Sequence, residues 1–148
     1  MENEQTTKPK IGVLLVNLGT PEAPETSALR KYLGELLAEP RLVEAPRAVW
    51  WLVRHLFILP FRPKRIAALY KEIWMPEGSP LMVYTIKQAA KLAAKLDAAF
   101  DGEVSVEVGM CVSSPSVRDA LERLQKKGAQ GLLILPLFPQ YTSSATGA

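Results

Sequence analysis

Three polar side chains in the middle of the sequence have types that together suit a carboxylate ligand. Arg62, Tyr70 and Ser79 offer a guanidinium, a phenol and a hydroxyl. Tyr70 comes at the end of one predicted helix, and Ser79 lies in the turn before the next. Such a set on one face would bind carboxylates at the edge of an apolar ligand. The alternative is a purely structural Tyr70 with Ser79 as a helix N-cap.

Other chemistry has weaker support in the sequence. The only histidine is His55 and the only cysteine is Cys111, far apart in the chain, so a zinc site made of protein ligands alone is not expected. A Ser-His-Asp arrangement would have His55 as its only base. We expect His55 to be packed or partly exposed and Cys111 to be a small buried residue. The turn at Gly19 lacks the glycine patterns of dinucleotide and phosphate-loop sites.

The first element that could position a site is a strand at residues 11–17. It is a short apolar run closed by turn residues, which is typical of a strand buried on both faces of a parallel sheet. Helical spacing of apolar residues predicts a helix over 27–38, with Thr26 or Ser27 as its N-cap. Ligands usually bind beyond the carboxyl end of such a strand, which puts 20–21 at the rim of a candidate site.

The remaining chain alternates helices with strands. We predict helices over 65–73, 81–99 and 116–127, and strands over 104–108 and 132–135. This order indicates an α/β fold with a parallel sheet and right-handed crossovers. A loop rich in serine and threonine follows, where a doubly wound domain would normally continue. We therefore expect the 148 residues to be part of a longer chain.

Residues 41–62 form a dense apolar and aromatic block with basic residues in and around it. Most of the net charge of +3 is concentrated here. One interpretation is a lip at the mouth of a pocket for a flat apolar anion, or at a membrane surface. The other is a helical hairpin within the core.

Composition sets broader limits. Nearly half of the 148 residues are hydrophobic, so one domain with a real core is expected. The small net charge argues against a nucleic-acid binder, and the single cysteine suits a reducing, cytosolic setting. Residues 1–9 are polar and predicted to be a disordered leader, without the apolar core of a signal peptide. No apolar run reaches the ~18 residues that a membrane span needs.

Four blocks of sequence, in order, resemble one known family. They are Val-Asn-Leu-Gly-Thr-Pro at 16–21, Tyr70 with Trp-Met-Pro-Glu-Gly-Ser-Pro-Leu at 74–81, Val-Gly-Met…Ser-Pro-Ser at 108–116, and Leu-Pro-Leu-Phe-Pro-Gln-Tyr…Ser at 135–144. Residues 10–148 resemble the amino-terminal half of ferrochelatase. The resemblance implies insertion of Fe²⁺ into protoporphyrin or coproporphyrin during haem biosynthesis. It also implies a fold of two Rossmann-like domains with the porphyrin cleft between them, of which this chain would supply one wall.

The resemblance also assigns residues to roles. Its implied porphyrin contacts are Leu18, which faces the macrocycle, and Arg62, Tyr70, Ser79 and Tyr141. The block at 41–65 would be a helical lip insertion that takes up porphyrin, with a peripheral membrane contact through 47–65. The implied location is cytoplasmic, peripheral at the membrane, with no nucleic-acid partner.

Two departures from the family pattern limit what this chain would do alone. Cys111 and Val112 stand where the family often has an aromatic residue. The family's metal-handling histidine and its glutamate partner lie in the second half, a carboxy-terminal domain that is missing here, and His55 does not match their motif. The expectation is therefore that the chain holds no catalytic residue, metal ligand or cofactor, that Fe²⁺ is a substrate of the complete enzyme, and that the chain alone is inactive.

Other functions remain open from the sequence. One is a porphyrin- or haem-binding module without enzymatic activity, for which the lip, Arg62 and Tyr70 would suffice. Another is a small chelatase acting as a symmetric dimer, which would need a metal-binding histidine near a strand end. A third is a generic α/β ligand-binding domain with no preference for porphyrins.

Overall fold

The computed structural model describes residues 10–43 and 45–142, so the predicted leader at 1–9 and the end of the final loop at 143–148 lie outside the described residues. Its centre is a parallel sheet with strand order β2-β1-β3. The strands are β1 (Ile11–Asn17), β2 (Val104–Met110) and β3 (Gly131–Pro136). The predicted α/β fold with a parallel sheet is confirmed.

Strand β1 is central because its apolar run can be buried on both faces. Ile11 is paired with Val104 of β2 on one side and with Gly131 of β3 on the other. Residues 13–16 are buried, and Leu14 is completely inaccessible. This burial matches the continuous hydrophobic pattern that parallel strands require.

In the described part of the chain, five α-helices accompany the sheet. They are α1 (Thr26–Leu36), α2 (Arg47–Val53), α3 (Leu59–Ile73), α4 (Pro80–Phe100) and α5 (Val117–Lys126). Helices α4 and α5 both pack against the sheet. Leu14 and Val16 of β1 form one core cluster with Ala120 and Leu124 of α5. None of the described helices combines the length and the apolar content that crossing a membrane would require.

The N-terminal ends of two helices show where capping residues in the sequence predict the start of a helix correctly and where they do not. Helix α5 begins with a capping box in which Ser116 and Asp119 bond reciprocally. The expected N-cap at Thr26 or Ser27 is wrong, because α1 is preceded by Glu25, whose side chain makes no cap bond. Its first turn closes through the bond from Leu29 N to Glu25 O, so the burial of Leu29 sets the start.

Residues 47–73 form one helical run, in which a π-helical turn (Arg54–Ile58) joins α2 to α3. Pro63 lies inside α3 and cannot donate to the carbonyl of Leu59. The side chain of Arg30 bonds that carbonyl instead, with Nε at 3.2 Å from the oxygen. The run therefore continues past a residue that usually breaks a helix.

The outer surface of this run is apolar. We call residues 47–65 the lip. Neither α2 nor the π turn contains a buried residue. Exposed large side chains of the lip are Val49, Trp51, Leu52, Leu56, Phe57 and Phe61. The core-hairpin interpretation of this block is therefore wrong, and the structure has an exposed helical insertion.

A second core cluster connects the insertion to the sheet. Leu29 and Tyr32 of α1 pack with Ala67 of α3, and the partly buried Tyr70 and Val112 complete the cluster. Because Val112 lies two residues after the end of β2, the insertion is held against the carboxyl edge of the sheet.

Strand β3 is largely exposed to solvent. It pairs only with β1, and the side chains at 132–135 are all between 42 and 56 % exposed. Side chains of a strand alternate between the two faces, so both faces of β3 are uncovered among the described residues.

Candidate functional site

The turn after β1 is held in place by Asn17. Its Oδ1 accepts a bond from Leu18 N at 2.9 Å, and its Nδ2 donates to Thr85 Oγ1 of α4 at 3.0 Å. The backbone after β2 is bonded to the same turn, from Cys111 N to Asn17 O and from Val112 N to Leu18 O. The turn is thus fixed between α4 and the segment after β2.

This close approach requires glycine at position 19. Gly19 has a φ of +111°, which is unfavourable for residues with a side chain. A Cβ atom there would lie 1.7 Å from the carbonyl oxygen of Val112. The next residue, Thr20, is 5 % exposed, and its N–H donates to Ser113 Oγ at 3.2 Å.

Three hydroxyl-bearing residues meet beside this turn. Thr20, Tyr70 and Ser79 line one pocket of about 220 Å³, which we call the hydroxyl pocket, together with Gly19, Ile73, Pro80 and Leu81. Ser79 Oγ accepts a bond from Met82 N at 3.2 Å and so caps α4. Its own proton stays available for a ligand. The buried Thr20 Oγ1 has no hydrogen-bond partner among the described residues.

The two tyrosines near the turn are neutral donors. Burial raises the pKa of Tyr32 to about 12, with a contribution from the nearby Tyr70, and burial also raises the pKa of Tyr70. Tyr32 donates to Gly19 O at 3.3 Å, which further fixes the turn. The Tyr70 phenol can therefore donate to a carboxylate at any physiological pH.

A larger apolar pocket opens next to Leu18. It measures about 570 Å³, and we call it the Leu18 pocket; its other lining residues are Glu35, Leu36, Glu39, Leu42, Cys111, Val112, Ser113, Ser116 and Val117. That volume lies within the ordinary range of ligand sites. The expectation that Cys111 is buried is wrong, because the residue is exposed at the mouth of this pocket. Partial desolvation and the neighbouring Glu39 carboxylate raise the pKa of its thiol, so it is not an activated nucleophile.

The predicted site residues are brought together only in part. Tyr70 and Ser79 share the hydroxyl pocket, and Leu18 lines the neighbouring pocket two residues before Thr20. Arg62 is exposed on α3 and Tyr141 is 76 % exposed, and neither is among the residues that line these two pockets. Both can reach a bound molecule only from outside.

Thr20 is a pocket residue that the sequence did not single out by type. Its only signal was its position beyond the end of the first strand. His55 is partly exposed, as expected; its Nδ1 lies 2.8 Å from Trp51 O and its ring lies against the Trp51 indole, with centroids 4.5 Å apart. Within residues 10–43 and 45–142, no three His, Cys, Asp or Glu side chains are grouped to hold a metal ion.

Comparison with known proteins identifies the family. The model of the ferrochelatase family matches residues 10–148. The chain is 48 % identical to a ferrochelatase of Nitrosomonas europaea over 93 % of its length and 38 % of that protein. It is 44 % identical to a ferrochelatase of Alcanivorax borkumensis over 99 % of its length and 43 % of that protein. The chain thus spans about two fifths of these curated relatives. A match that covers nearly the whole chain, in a fold whose pockets lie at the carboxyl edge of a parallel sheet, places it in the ferrochelatase family.

Proposed function

We propose that this chain supplies one porphyrin-binding wall of a ferrochelatase, the enzyme that inserts Fe²⁺ into a porphyrin in haem biosynthesis. The macrocycle would lie against Leu18 and the apolar pocket beside it. The hydroxyl pocket would bind a carboxylate at the edge of the macrocycle. Two pockets of opposite character that meet at one turn suit a flat apolar molecule with acidic side chains.

The observation that carries the proposal is the buried Thr20 hydroxyl without a partner. A buried hydroxyl that forms no hydrogen bond costs about 1–3 kcal/mol. Thr20 lines the same pocket as Tyr70 and Ser79, at the N-terminal end of α4, where the helix dipole favours negative charge. A carboxylate there would accept bonds from all three hydroxyls. Arg62 and Tyr141 would contact the porphyrin from the rim.

The proposal is tested by porphyrin titration. The 148-residue chain is mixed with a dicarboxylic porphyrin and with its dimethyl ester, and binding is followed by visible absorption. We expect saturable binding of the diacid and binding of the ester that is about tenfold weaker or worse. Tyr70→Phe should weaken binding of the diacid only. Tyr84→Phe, at an exposed position on α4, should change the affinity for neither porphyrin. Equal affinity for acid and ester would refute carboxylate recognition.

We further propose that this chain holds neither the metal ligand nor the base for insertion, and that iron is handled by a missing carboxy-terminal domain. Removing two pyrrole protons needs a base, and delivering the ion needs a ligand. The contacts of His55 with Trp51 keep it in the lip, outside both pockets. Zn²⁺ or Fe²⁺ added to the chain with porphyrin should give no metalloporphyrin above the protein-free rate. Turnover would contradict this, and His55→Ala and Cys111→Ser would then locate the metal site.

We also propose that the protein is cytoplasmic and contacts the membrane peripherally through the lip. Its exposed aromatic side chains, such as Phe57 and Phe61, are flanked by basic residues, which is the composition of a membrane-surface segment. Sedimentation with vesicles should show binding to anionic lipid that Phe57→Asp weakens. Leu133→Asp, an equally exposed apolar residue on β3, is the matched control and should leave the bound fraction unchanged.

A further inference from the structure

A third pocket lies under the lip. It measures about 390 Å³, and we call it the Arg54 pocket; its lining residues are Ala38, Pro40, Val43, Ala45, Arg47, Trp50, Trp51 and Arg54. Different residues of the segment after α1 line this pocket and the Leu18 pocket, so the two are separate. Neither the proposed porphyrin wall nor the hydroxyl pocket uses any of these side chains.

The guanidinium of Arg54 is incompletely paired here. Its Nη1 donates to the carbonyl of Gly34 near the end of α1, at 3.3 Å. Its Nε is buried and has no hydrogen-bond partner in the part of the chain that the structure describes. The Nε edge of an arginine is one that binds planar oxyanions through two parallel bonds. A buried cationic donor without a partner is costly, so this edge favours an anionic ligand.

The described lining of this pocket carries two positive charges. Arg47 lies two helical turns before Arg54 on the same run, and both line the pocket, while no acidic residue is among its described lining residues. The helix-end carbonyls nearby do not cancel this charge, because Gly34 O is bonded by Arg54 and Leu37 O by Trp50 Nε1 at 2.7 Å. The polar floor of the pocket is therefore free to bind an anion.

The walls of the pocket are apolar. Trp50 and Trp51 supply most of the aromatic surface, and Trp51 is 56 % exposed, so it joins the pocket to the exposed apolar strip of the lip. Free phosphate would leave these walls bare. An anion with an apolar body would cover them and gain the free energy of apolar burial.

We propose that the Arg54 pocket binds an anionic amphiphile, with a phosphate or carboxylate head on Arg54 and Arg47 and an apolar chain along Trp50 and Trp51. The Arg54 pocket shares no lining residue with the hydroxyl pocket or the Leu18 pocket.

The test uses short-chain lipids below the concentration at which they aggregate, so that no membrane surface is present. Trp74→Phe leaves only Trp50 and Trp51 as indoles, and both line the pocket. A phosphatidic acid with brominated acyl chains should quench their fluorescence saturably. The phosphatidylcholine with the same chains should bind about tenfold more weakly or worse, and inorganic phosphate should compete only weakly.

Two variants distinguish binding in this pocket from a general attraction of anionic lipid to positive charge on the protein. Arg47→Met should weaken phosphatidic acid binding about tenfold, because the exposed Arg47 supplies charge to the pocket without a role in packing. Arg65→Met removes the same charge from α3, does not touch the pocket lining, and should leave the affinity unchanged. Equal effects of the two variants would overturn the site. Equal quenching by phosphatidylcholine would show that the pocket does not select an anionic head group. Strong competition by inorganic phosphate would show that the apolar chain does not contribute to binding.

Discussion

Asn17, the last residue of β1, and Thr85, on the second turn of α4, are joined by a side-chain hydrogen bond of 3.0 Å. Thr85 is 1 % exposed, and its hydroxyl also donates to Leu81 O at 2.7 Å. This bond links the strand end that positions Leu18 to the helix that begins at Ser79. One partly buried polar contact therefore connects the walls of the two proposed ligand pockets.

We predict that Asn17 and Thr85 are energetically coupled. Asn17→Ala and Thr85→Val should each lower the free energy of unfolding by about 1–2 kcal/mol, because each removes this bond and leaves a partly buried group with fewer hydrogen bonds. The double variant should cost less than the sum of the two. Urea unfolding of the four proteins measures the coupling. Strict additivity would show that the bond contributes nothing to stability.

Thr20→Val should separate stability from binding. Valine removes a buried hydroxyl that has no partner, so we expect stability to stay equal or to rise by up to about 1 kcal/mol. Affinity for a dicarboxylic porphyrin should fall, since one donor to the carboxylate is lost. Thr85→Val is the control with a bonded hydroxyl, and it should be destabilised. Loss of stability in Thr20→Val would mean that its hydroxyl has a partner in solution.

Gly19→Ala should be among the most damaging single changes in the chain. Its Cβ would overlap the carbonyl of Val112, and its φ of +111° is strained for alanine, so we expect a loss above about 3 kcal/mol. Gly78→Ala gives the comparison, because Gly78 also has a positive φ but no atom lies within 4 Å of its Cβ position. That variant should lose only about 1–3 kcal/mol. Thermal unfolding of both variants distinguishes the cost of steric overlap with Val112 from the cost of backbone strain at a positive φ.

Acid should destabilise the protein partly through Glu107. This carboxylate is 2.7 Å from both Arg123 Nε of α5 and Nζ of Lys127, the residue that caps the C-terminal end of α5. Burial by itself raises its pKa, but the bonds from Lys127 and Arg123 outweigh burial and lower the pKa below its ordinary value. A carboxyl whose pKa is lower in the folded than in the unfolded state stabilises the fold above the unfolded pKa. That stability is lost as the pH falls through the folded pKa.

Glu107→Gln should therefore lower stability by about 1 kcal/mol or less at neutral pH, since its basic partners are solvent-exposed. Its stability should also fall less steeply than that of the parent protein below about pH 5. Urea titrations at several pH values measure this slope, with the exposed Glu122→Gln as control. A parallel slope for Glu107→Gln and the parent would exclude Glu107 as a source of acid lability.

The exposed strand β3 should make the chain associate. Its side chains at 132–135 are apolar and bare on both faces, and its outer edge is unpaired among the described residues. Such an edge is a template for further strands. Leu133→Lys should shift the chain toward monomer in analytical ultracentrifugation without loss of stability, because Leu133 is 56 % exposed. A monodisperse monomer of the parent chain in dilute solution would contradict this.

The sequence predicted the parts of the fold that local patterns determine. A continuous apolar run gave β1 its place, and Ser116 with Asp119 marked the start of α5. The helix predicted from residue 65 in fact starts at Leu59, because Arg30 replaces the donor that Pro63 lacks. That compensation depends on tertiary contact and leaves no periodic signal in the sequence.

The candidate site was predictable to a similar extent. Tyr70 and Ser79 are brought together by a short turn, so their proximity followed from the local sequence. Thr20 joins them only because α4 contacts β1 and α3 packs against α1, which no spacing within the sequence reveals. Helical spacing alone could not show that Arg62 lies outside the hydroxyl pocket.

The central position of β1 also affects when its strand pairs can form during synthesis. The ribosome makes β1 first, yet both of its partner strands, β2 and β3, are made only after α1 to α4 are complete. Until then the most buried strand of the protein has no hydrogen-bonding neighbour in the sheet. Long delays between synthesis and pairing expose apolar segments to other chains. Residues 11–17 are therefore the segment that the nascent chain must protect for longest.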